Sequence, residues 1–190
     1  MTRTMLLVMM TLAAGIPQVQ AADRGEVQLS VLLGGQSLKV DDEDVIGDNG
    51  VTREGVVVGA ALAYRLPRGL LFEASILHSA YSDFLFANLF RRSFDNYQYS
   101  GAVGWQFDID RWRITPKVGV ARSKLTSDGP LLFPPDDDRS YKFYATVPYL
   151  ETSFMRRAGR HWAFGLTLRE TFEEFGHTRS YAGTVQYLFN

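Results

Sequence analysis

The sequence has no cysteine among its 190 residues. Disulfide frameworks, thiolate metal sites and cysteine nucleophiles are therefore excluded. It also lacks an excess of either charge, since 20 Lys and Arg side chains stand against 21 Asp and Glu side chains. Without a basic excess, the composition gives no support for binding to nucleic acid. The 46% hydrophobic content is too high for a disordered chain, and the length is that of one domain.

Long apolar runs are missing as well. After residue 21 no segment reaches the roughly 18 apolar residues that a membrane-spanning helix needs. The one strongly apolar run extends from Met5 to Ala14, with Arg3 before it and Val19-Gln20-Ala21 after it, where a signal peptidase inspects for small or branched residues. This order is typical of a secretory signal peptide. We therefore expect an exported chain, with a signal peptide at Met1–Ala21 and a single domain at residues 22–190.

Aromatic residues, in contrast, are abundant, with 13 Phe, 9 Tyr and 3 Trp, and many lie in segments with a period of two. In Asn96–Asp108 the odd positions, from Tyr97 to Phe107, are mostly bulky and apolar, and the even positions are small or polar. Only a β-strand separates residues in this way. Seven further segments alternate similarly, and the sequence thus predicts eight strands. They are Glu26–Leu38, Gly55–Leu66, Gly69–Tyr81, Trp112–Leu125, Tyr141–Met155, Trp162–Phe172 and Thr178–Phe189.

The predicted connections alternate between long and short. The long ones are Lys39–Glu54, Ser82–Asp95 and Thr126–Ser140, and the short ones are Pro67-Arg68, Ile109–Arg111 and Arg156–His161. Outer-membrane barrels have short periplasmic turns and long extracellular loops. Aromatic residues at the strand ends of the apolar face, with a small polar opposite face, favour an apolar outside over a lipocalin-like apolar cavity. The sequence therefore predicts an all-β, eight-stranded antiparallel up-and-down transmembrane β-barrel.

Several charges fall on the inward face of these strands, namely Arg65, Glu73, Arg113, Lys117, Glu151 and Arg169. A lone charge in a narrow interior is costly, so opposite charges are expected to pair there. Such a network could plug the barrel or line a small ion pore, and the narrow interior of eight strands favours the plug. Arg122 and Glu170 fall on the outward face. Either they lie near lipid headgroups, or a bulge turns them inward.

Two segments carry a resemblance to a known group. Ile114-Thr115-Pro116-Lys117-Val118-Gly119-Val120 and the final Gly183-Thr184-Val185-Gln186-Tyr187-Leu188-Phe189 resemble strands of the small outer-membrane β-barrel superfamily. That superfamily includes the OmpA transmembrane domain, the OmpX/Ail proteins and the opacity-type adhesins. The resemblance implies a bacterial outer-membrane location, recognition of the last strand by the barrel-assembly machinery, and a structural, envelope-integrity or adhesive role. Asn190 follows the terminal Phe of that strand.

An enzymatic alternative is a lipid A acyl hydrolase, because the same architecture is used by outer-membrane enzymes that act on lipid A. Such chemistry needs a serine and a histidine within hydrogen-bond reach, oriented by a carboxylate. The best candidates are Glu174, His177 and Ser180, but a His and a Ser three apart on a strand point to opposite faces. The His-x-Ser pair of the deacylases is absent. The sequence thus predicts a non-enzymatic protein without catalytic, cofactor or metal sites.

The long connections carry the remaining chemistry. Asp41–Asp48 and Asp136–Asp138 are acidic, but a calcium loop counted from Asp42 would have Ile46 and Arg53 at ligand positions, so solvated loops are expected. Ser82–Asp95 is unusually apolar for a loop and contains Phe84, Phe86, Phe90, Arg91 and Arg92. An exposed apolar patch of this kind is typical of an interaction surface. We expect the partners to be outer-membrane lipid and lipopolysaccharide, and a surface ligand at this loop.

Overall fold

The computed structural model describes residues 25–40, 52–81, 93–128, 141–173 and 176–189. These ranges contain all eight predicted strands. The predicted signal peptide Met1–Ala21 lies outside the described residues, as do most residues of the three long connections. The division of the chain after Ala21 therefore stays a prediction.

Nine strand segments and one short 3-10 turn make up nearly all of the described chain. The strands are β1 (Glu26–Val40), β2 (Thr52–Arg65), β3 (Leu70–Tyr81), β4 (Ser93–Trp105), β5 (Phe107–Ile109), β6 (Trp112–Asp128), β7 (Tyr141–Ala158), β8 (Trp162–Glu173) and β9 (Gly176–Phe189), and the turn is Pro67–Gly69. Each predicted strand is confirmed, and four of the eight extend further toward the long connections. No helix in the described ranges is long and apolar enough to cross a membrane.

The predicted strand Asn96–Asp108 is interrupted at Gln106, which separates β4 from β5. The register does not shift there, because Gly104 pairs with Lys117 before the break and Phe107 pairs with Ile114 after it. In that register Trp105 lies opposite Pro116, and proline has no N–H to donate to a ladder. The interruption is therefore a missing hydrogen bond within one barrel strand. β4 and β5 together form a single strand of the barrel, and we call each such barrel strand a stave.

The strands form a closed antiparallel barrel of eight staves. Sequential strands are neighbours, β1 pairs with β9, and the additional pairing of β4 with β6 completes the ring. The first and last strands meet along their full length, from Val27 opposite Phe189 to Val40 opposite Gly176. A closed barrel leaves no strand edge with unpaired backbone groups. The predicted up-and-down topology is confirmed.

Tight turns join the strands at one end of the barrel. Arg68 and Gly69 in the β2–β3 turn have φ angles of 76° and 101°, and Asp110 in the β5–β6 turn has a φ of 54°. Positive φ is the conformation that reverses a chain within a few residues and is easiest for Gly and Asp. We call this the turn end. The opposite end, where residues 41–51, 82–92, 129–140 and 174–175 connect the strands, is the loop end.

The two faces of the barrel have the predicted polarity. Large apolar side chains are exposed on every stave, among them Leu29, Val58, Ile76, Val103, Val118, Phe154, Leu166 and Val185. The interior is more apolar than the sequence predicted, because Leu38, Leu71, Leu77, Leu125, Met155 and Leu188 are buried in it beside the expected small and polar residues. Eight strands enclose just enough space for side chains, and these aliphatic groups fill the space between the polar clusters.

Candidate functional site

The middle of the barrel holds an ion-paired quartet formed by Glu73, Lys117, Glu151 and Arg169. The Lys117 Nζ lies 2.6 Å from Glu73 Oε2 and 2.5 Å from Glu151 Oε1. Arg169 donates from Nε to Glu151 Oε2 at 2.7 Å, with its Nη2 2.6 Å from the same oxygen. Two carboxylates thus meet two cations, and all four side chains are buried. The balance matters because an unpaired buried charge is strongly destabilising.

The strand register and the closure of the barrel bring the four side chains of this quartet together. Lys117, Glu151 and Arg169 are direct neighbours in one row across β6, β7 and β8. Glu73 joins them from β3, which lies two strands from β6 and faces β8 across the lumen. Arg169 also crosses the lumen, since its Nη2 donates to Ser75 Oγ on β3 at 3.1 Å. The quartet therefore links opposite walls of the barrel and does not only coat one of them.

A second cluster closes the turn end. Arg113 donates to both oxygens of Glu26, at 2.8 and 3.0 Å, and its Nε lies 3.3 Å from Asp108. Arg65 Nη1 lies 2.7 Å from the other oxygen of Asp108. Bidentate contacts between a guanidinium and a carboxylate are among the strongest ion pairs in proteins. Two acids thus meet two buried cations, and the partly exposed Arg157 lies 4.0 Å from Glu26 Oε2.

Glutamine side chains extend the cluster at the turn end toward the quartet. Gln28 Nε2 donates to Glu26 at 2.7 Å and to Gln106 Oε1 at 2.8 Å, and Gln186 Nε2 donates to Gln28 Oε1 at 3.0 Å. Between the two clusters the lumen keeps a cavity of about 20 Å³, lined in part by Glu73, Lys117 and Gln186. A space of that size holds about one water molecule.

The loop end of the lumen is filled by uncharged polar contacts. Gln36 donates to the Tyr81 hydroxyl and accepts from Ser79 Oγ, which joins β1 to β3. Ser123 Oγ donates to Asn96 Oδ1 at 2.9 Å, and this contact joins β6 to β4. Side chains therefore cross the interior at the turn end and at the quartet, with lateral polar contacts at the loop end, and this arrangement supports the structural-plug hypothesis over the small ion pore.

The prediction that the interior charges pair is confirmed for all six residues named from the sequence. Their carboxylate partners at the turn end, Glu26 and Asp108, were not identified among those charges. Both lie on the polar face of alternating segments, and that position was the available signal. The alternation does not show which strands face each other across the lumen.

The two outward charges keep the orientation of the continuous ladder. Arg122 pairs with Thr146 and Glu170 with Leu150 in strands without a register shift, so the bulge hypothesis is wrong. Arg122 Nη1 donates to Thr146 Oγ1 at 3.0 Å, and Glu170 accepts from Arg179 Nε at 3.0 Å. Both lie on the loop-end half of their strands, where the lipid headgroups are expected from the sequence.

The candidate hydrolase residues do not share a face. His177 and Ser180 both belong to the regular strand β9, in which Thr178 and Ala182 are buried. Ser180 therefore points inward and His177 outward. Glu174 lies outside the described residues. Of the other histidines, His78 stacks on Tyr97 at a centroid distance of 4.3 Å.

The acidic segments Asp41–Asp48 and Asp136–Asp138 lie outside the described residues. So do Phe84, Phe86, Phe90, Arg91 and Arg92 of the predicted interaction loop. Among the residues that the structure does describe, no three His, Asp or Glu side chains converge as metal ligands would.

Comparison with known proteins gives a fold and no sequence family. No family profile matches the chain, and no curated protein matches it. Among solved structures, the chain is similar to Neisserial surface protein A, with a TM-score of 0.64 and 10% identity over 87% of this chain and 97% of that one. The attachment invasion locus protein Ail of Yersinia pestis gives a TM-score of 0.60 and 13% identity, over 87% and 99%.

The outer membrane protein OprG of Pseudomonas aeruginosa is a third similar structure. Its TM-score is 0.58 at 10% identity, and the match covers 91% of this chain and all of OprG. In each case almost the whole neighbour is matched, so the likeness extends over the complete barrel. The chain has the fold of the small eight-stranded outer-membrane β-barrels.

Proposed function

We propose that the chain is an integral outer-membrane protein with a structural, envelope-integrity or adhesive role, exerted through its extracellular loops. The observation that carries the proposal is the inverted surface, on which large apolar side chains are exposed on every stave of a closed barrel. Soluble monomers rarely expose apolar patches larger than a few hundred Å². A bilayer is the environment in which a continuous apolar band is stable.

Aromatic side chains support the membrane orientation. Near the turn end, Trp105, Trp112 and Trp162 are exposed, and Trp162 contacts Tyr187 edge-on at a centroid distance of 4.9 Å. Near the loop end the exposed rings include Tyr99. Amphipathic rings of this kind are enriched where hydrocarbon meets water. The turn end then faces the periplasm, and the loop end faces the outside.

A non-catalytic role is supported by what fills the lumen. The acids and bases of the interior form ion pairs with one another, and the cavity between them has room for about one water molecule. His177 and Ser180 lie on opposite faces of β9. We therefore assign the surface function to the loops, because rigid strands commonly serve as a scaffold for variable recognition loops.

Loop Ser82–Asp95 remains our proposed contact surface for a ligand. Its phenylalanines and adjacent arginines combine an apolar surface with anion-binding groups. One neighbour of the same fold, Ail, has been solved in complex with the heparin analogue sucrose octasulfate, a polyanion. That observation concerns Ail, and it supports looking for anionic surface ligands of this chain.

Two measurements test the proposal. In Gram-negative cells the protein should sediment with outer membranes, migrate differently on gels before and after boiling, and be labelled from outside at a tag placed in residues 82–92. Purified protein should release no fatty acid from lipid A. Release that is lost in both His177→Ala and Ser180→Ala would establish the lipid A acyl hydrolase instead.

A further inference from the structure

Cations and tyrosines lie side by side on the outward face near the loop end. In the strand register, Lys124 lies between Tyr97 on β4 and Tyr144 on β7. One step closer to the middle of the barrel, Arg122 lies between Tyr99 and Thr146. We call the following outward side chains of β4, β6 and β7 the rim patch: Tyr97, Tyr99, Arg122, Lys124, Lys142 and Tyr144.

Among the described residues, no acid forms an ion pair with the cations of the rim patch. Arg122 donates to Thr146 Oγ1 and lies 5.8 Å from the centroid of the Tyr144 ring, which are both uncharged contacts. Within the described part of the chain, Lys124 and Lys142 have no ion-pair partner. The nearby acid Asp95 lies 3.3 Å from His78.

Other outward charges of the loop end behave differently. On β8 and β9, Glu170 and Arg179 form an ion pair at 3.0 Å. Cations on the outward face are costly unless they meet water or a counter-ion near the headgroups. The open donors of the rim patch are therefore available to an anionic ligand in the outer leaflet.

An open apolar groove of about 810 Å³ lies directly beneath the rim patch. The row below Arg122 consists of Gly101, Val120 and Pro148, and all three line the groove. Ala74, paired with Gly101, has too small a side chain to fill the depression. On β6 the groove is lined by Val120 and Val118, and it continues sideways over β4, β3 and β2. A strand rises about 3.3 Å per residue, so Val118 lies about 13 Å along β6 from Arg122.

We propose that the rim patch and this groove form one binding site for lipopolysaccharide, with a lipid A phosphate on the cations and an acyl chain in the groove. The site rests on the proposed outer-membrane location. The Arg122 guanidinium and the two ammonium groups bind the phosphate oxygens, because guanidinium matches phosphate in a bidentate geometry. The three tyrosines line the headgroup level, and the groove adds apolar contact area for the chain.

The test uses folded protein in detergent micelles and native mass spectrometry with purified bisphosphorylated lipid A. Different migration of unboiled and boiled protein on gels first shows that the barrel has folded; a failure at this step would count against the membrane-barrel proposal itself. Wild type should bind one lipid A. The variant R122S/K124S/K142S should bind about tenfold more weakly or worse, since each charged hydrogen bond contributes measurably.

Two matched variants separate the parts of the site. Gly101→Val fills the groove without a clash, because a Cβ there would lie 4.0 Å from its nearest neighbour, the Glu73 carbonyl oxygen. It should weaken binding of lipid A but not that of the phosphorylated disaccharide without acyl chains. Arg179→Ser removes an outward cation elsewhere on the rim and should leave lipid A binding unchanged.

Three results would overturn the inference. The first is that wild type binds dephosphorylated lipid A as tightly as the phosphorylated form. The second is that Arg179→Ser loses as much lipid A affinity as the triple variant. The third is that the mass spectra show a protein dimer that carries no lipid A. The first would show that phosphate is not recognised. The second would show a diffuse charge effect. The third would assign the groove to a second copy of the chain.

Discussion

Lys117 and Glu151 are direct partners across β6 and β7, and the Lys117 ammonium also contacts Glu73 on β3, beyond the intervening β4, at 2.6 Å. One cation thus connects two carboxylates that belong to strands on different sides of the lumen. Because Arg169 satisfies the second oxygen of Glu151, the four charges form one unit. The effect of removing one charge should therefore exceed that of a single surface ion pair.

We predict that Lys117→Met lowers the free energy of unfolding by about 3–5 kcal/mol, the usual loss when one partner of a buried pair is removed. Glu73 would lose its cation, and Glu151 would keep only Arg169. The measurement is urea-induced unfolding of refolded protein in micelles or vesicles, followed by the fraction that keeps the folded migration on unheated gels.

Lys124→Met is the matched control, since Lys124 lies on the same strand but faces outward without an ion pair among the described residues. Its effect should stay within about 0.5 kcal/mol. The double variant Lys117→Met/Glu73→Gln should regain part of the lost stability, because the Glu151–Arg169 pair is then balanced. A single variant as stable as wild type would mean that the quartet is not a stabilising unit.

A similar loss is expected at the turn end for Arg113→Met. This guanidinium binds both oxygens of Glu26 and contacts Asp108. Its removal leaves the buried Glu26 with only the partly exposed Arg157 at 4.0 Å, and Asp108 with Arg65. The expected destabilisation is again about 3–5 kcal/mol. The same urea titration measures it. Arg156→Met, on the outward face over Trp112, is the control and should have a much smaller effect.

The sequence predicts the faces of this barrel well and its cross-lumen contacts poorly. Alternation is a local property, so a strand such as Trp112–Leu125 shows its inward and outward residues without reference to the rest of the chain. The contact between Glu26 and Arg113, 87 positions apart, depends on barrel closure and stagger. Neither quantity is contained in a period of two.

The interruption at Gln106 shows the same limit on a smaller scale. Asn96–Asp108 alternates over its whole length except at Gly101, and nothing near Gln106 marks a break. The cause is Pro116 on another strand, which becomes visible only once the register is known. Likewise, the alternation predicts that Arg122 points outward. It does not predict the groove next to Arg122, because residues of several neighbouring strands form that groove.

The assignment of inside and outside can be tested by one pair of adjacent residues. Val103 is 44% exposed in the apolar band, and Ala102 beside it is 7% exposed in the lumen. Val103→Arg should prevent or strongly reduce assembly, since a charge at the bilayer midplane costs about 2–4 kcal/mol. Ala102→Ser should be mild. The measurement is the folded fraction in the outer membrane, and the reverse outcome would exchange the two faces.

Loop Ser82–Asp95 gives a prediction about surface function. Replacing Phe84, Phe86, Phe90, Arg91 and Arg92 by Ser should leave the folded migration intact, because the described barrel closes without these residues. Adhesion to anionic polysaccharide should fall, since both the apolar contacts and the anion-binding groups are gone. Binding assays with whole cells measure this. Unchanged adhesion with normal surface exposure would make the loop a cover for the barrel mouth.

The last prediction concerns conduction. Wild-type protein in planar bilayers should show no persistent open channel, because the quartet spans the lumen and the cavity beside it has room for only about one water molecule. Glu73→Ala/Lys117→Ala removes the pair that joins β3 to β6 while leaving Glu151 balanced by Arg169, so its openings should be more frequent than those of wild type. Single-channel recordings compare the two proteins at the same voltage. Stable, ohmic conductance steps from wild-type protein would show that the lumen is a pore and that the ion pairs line a path for ions.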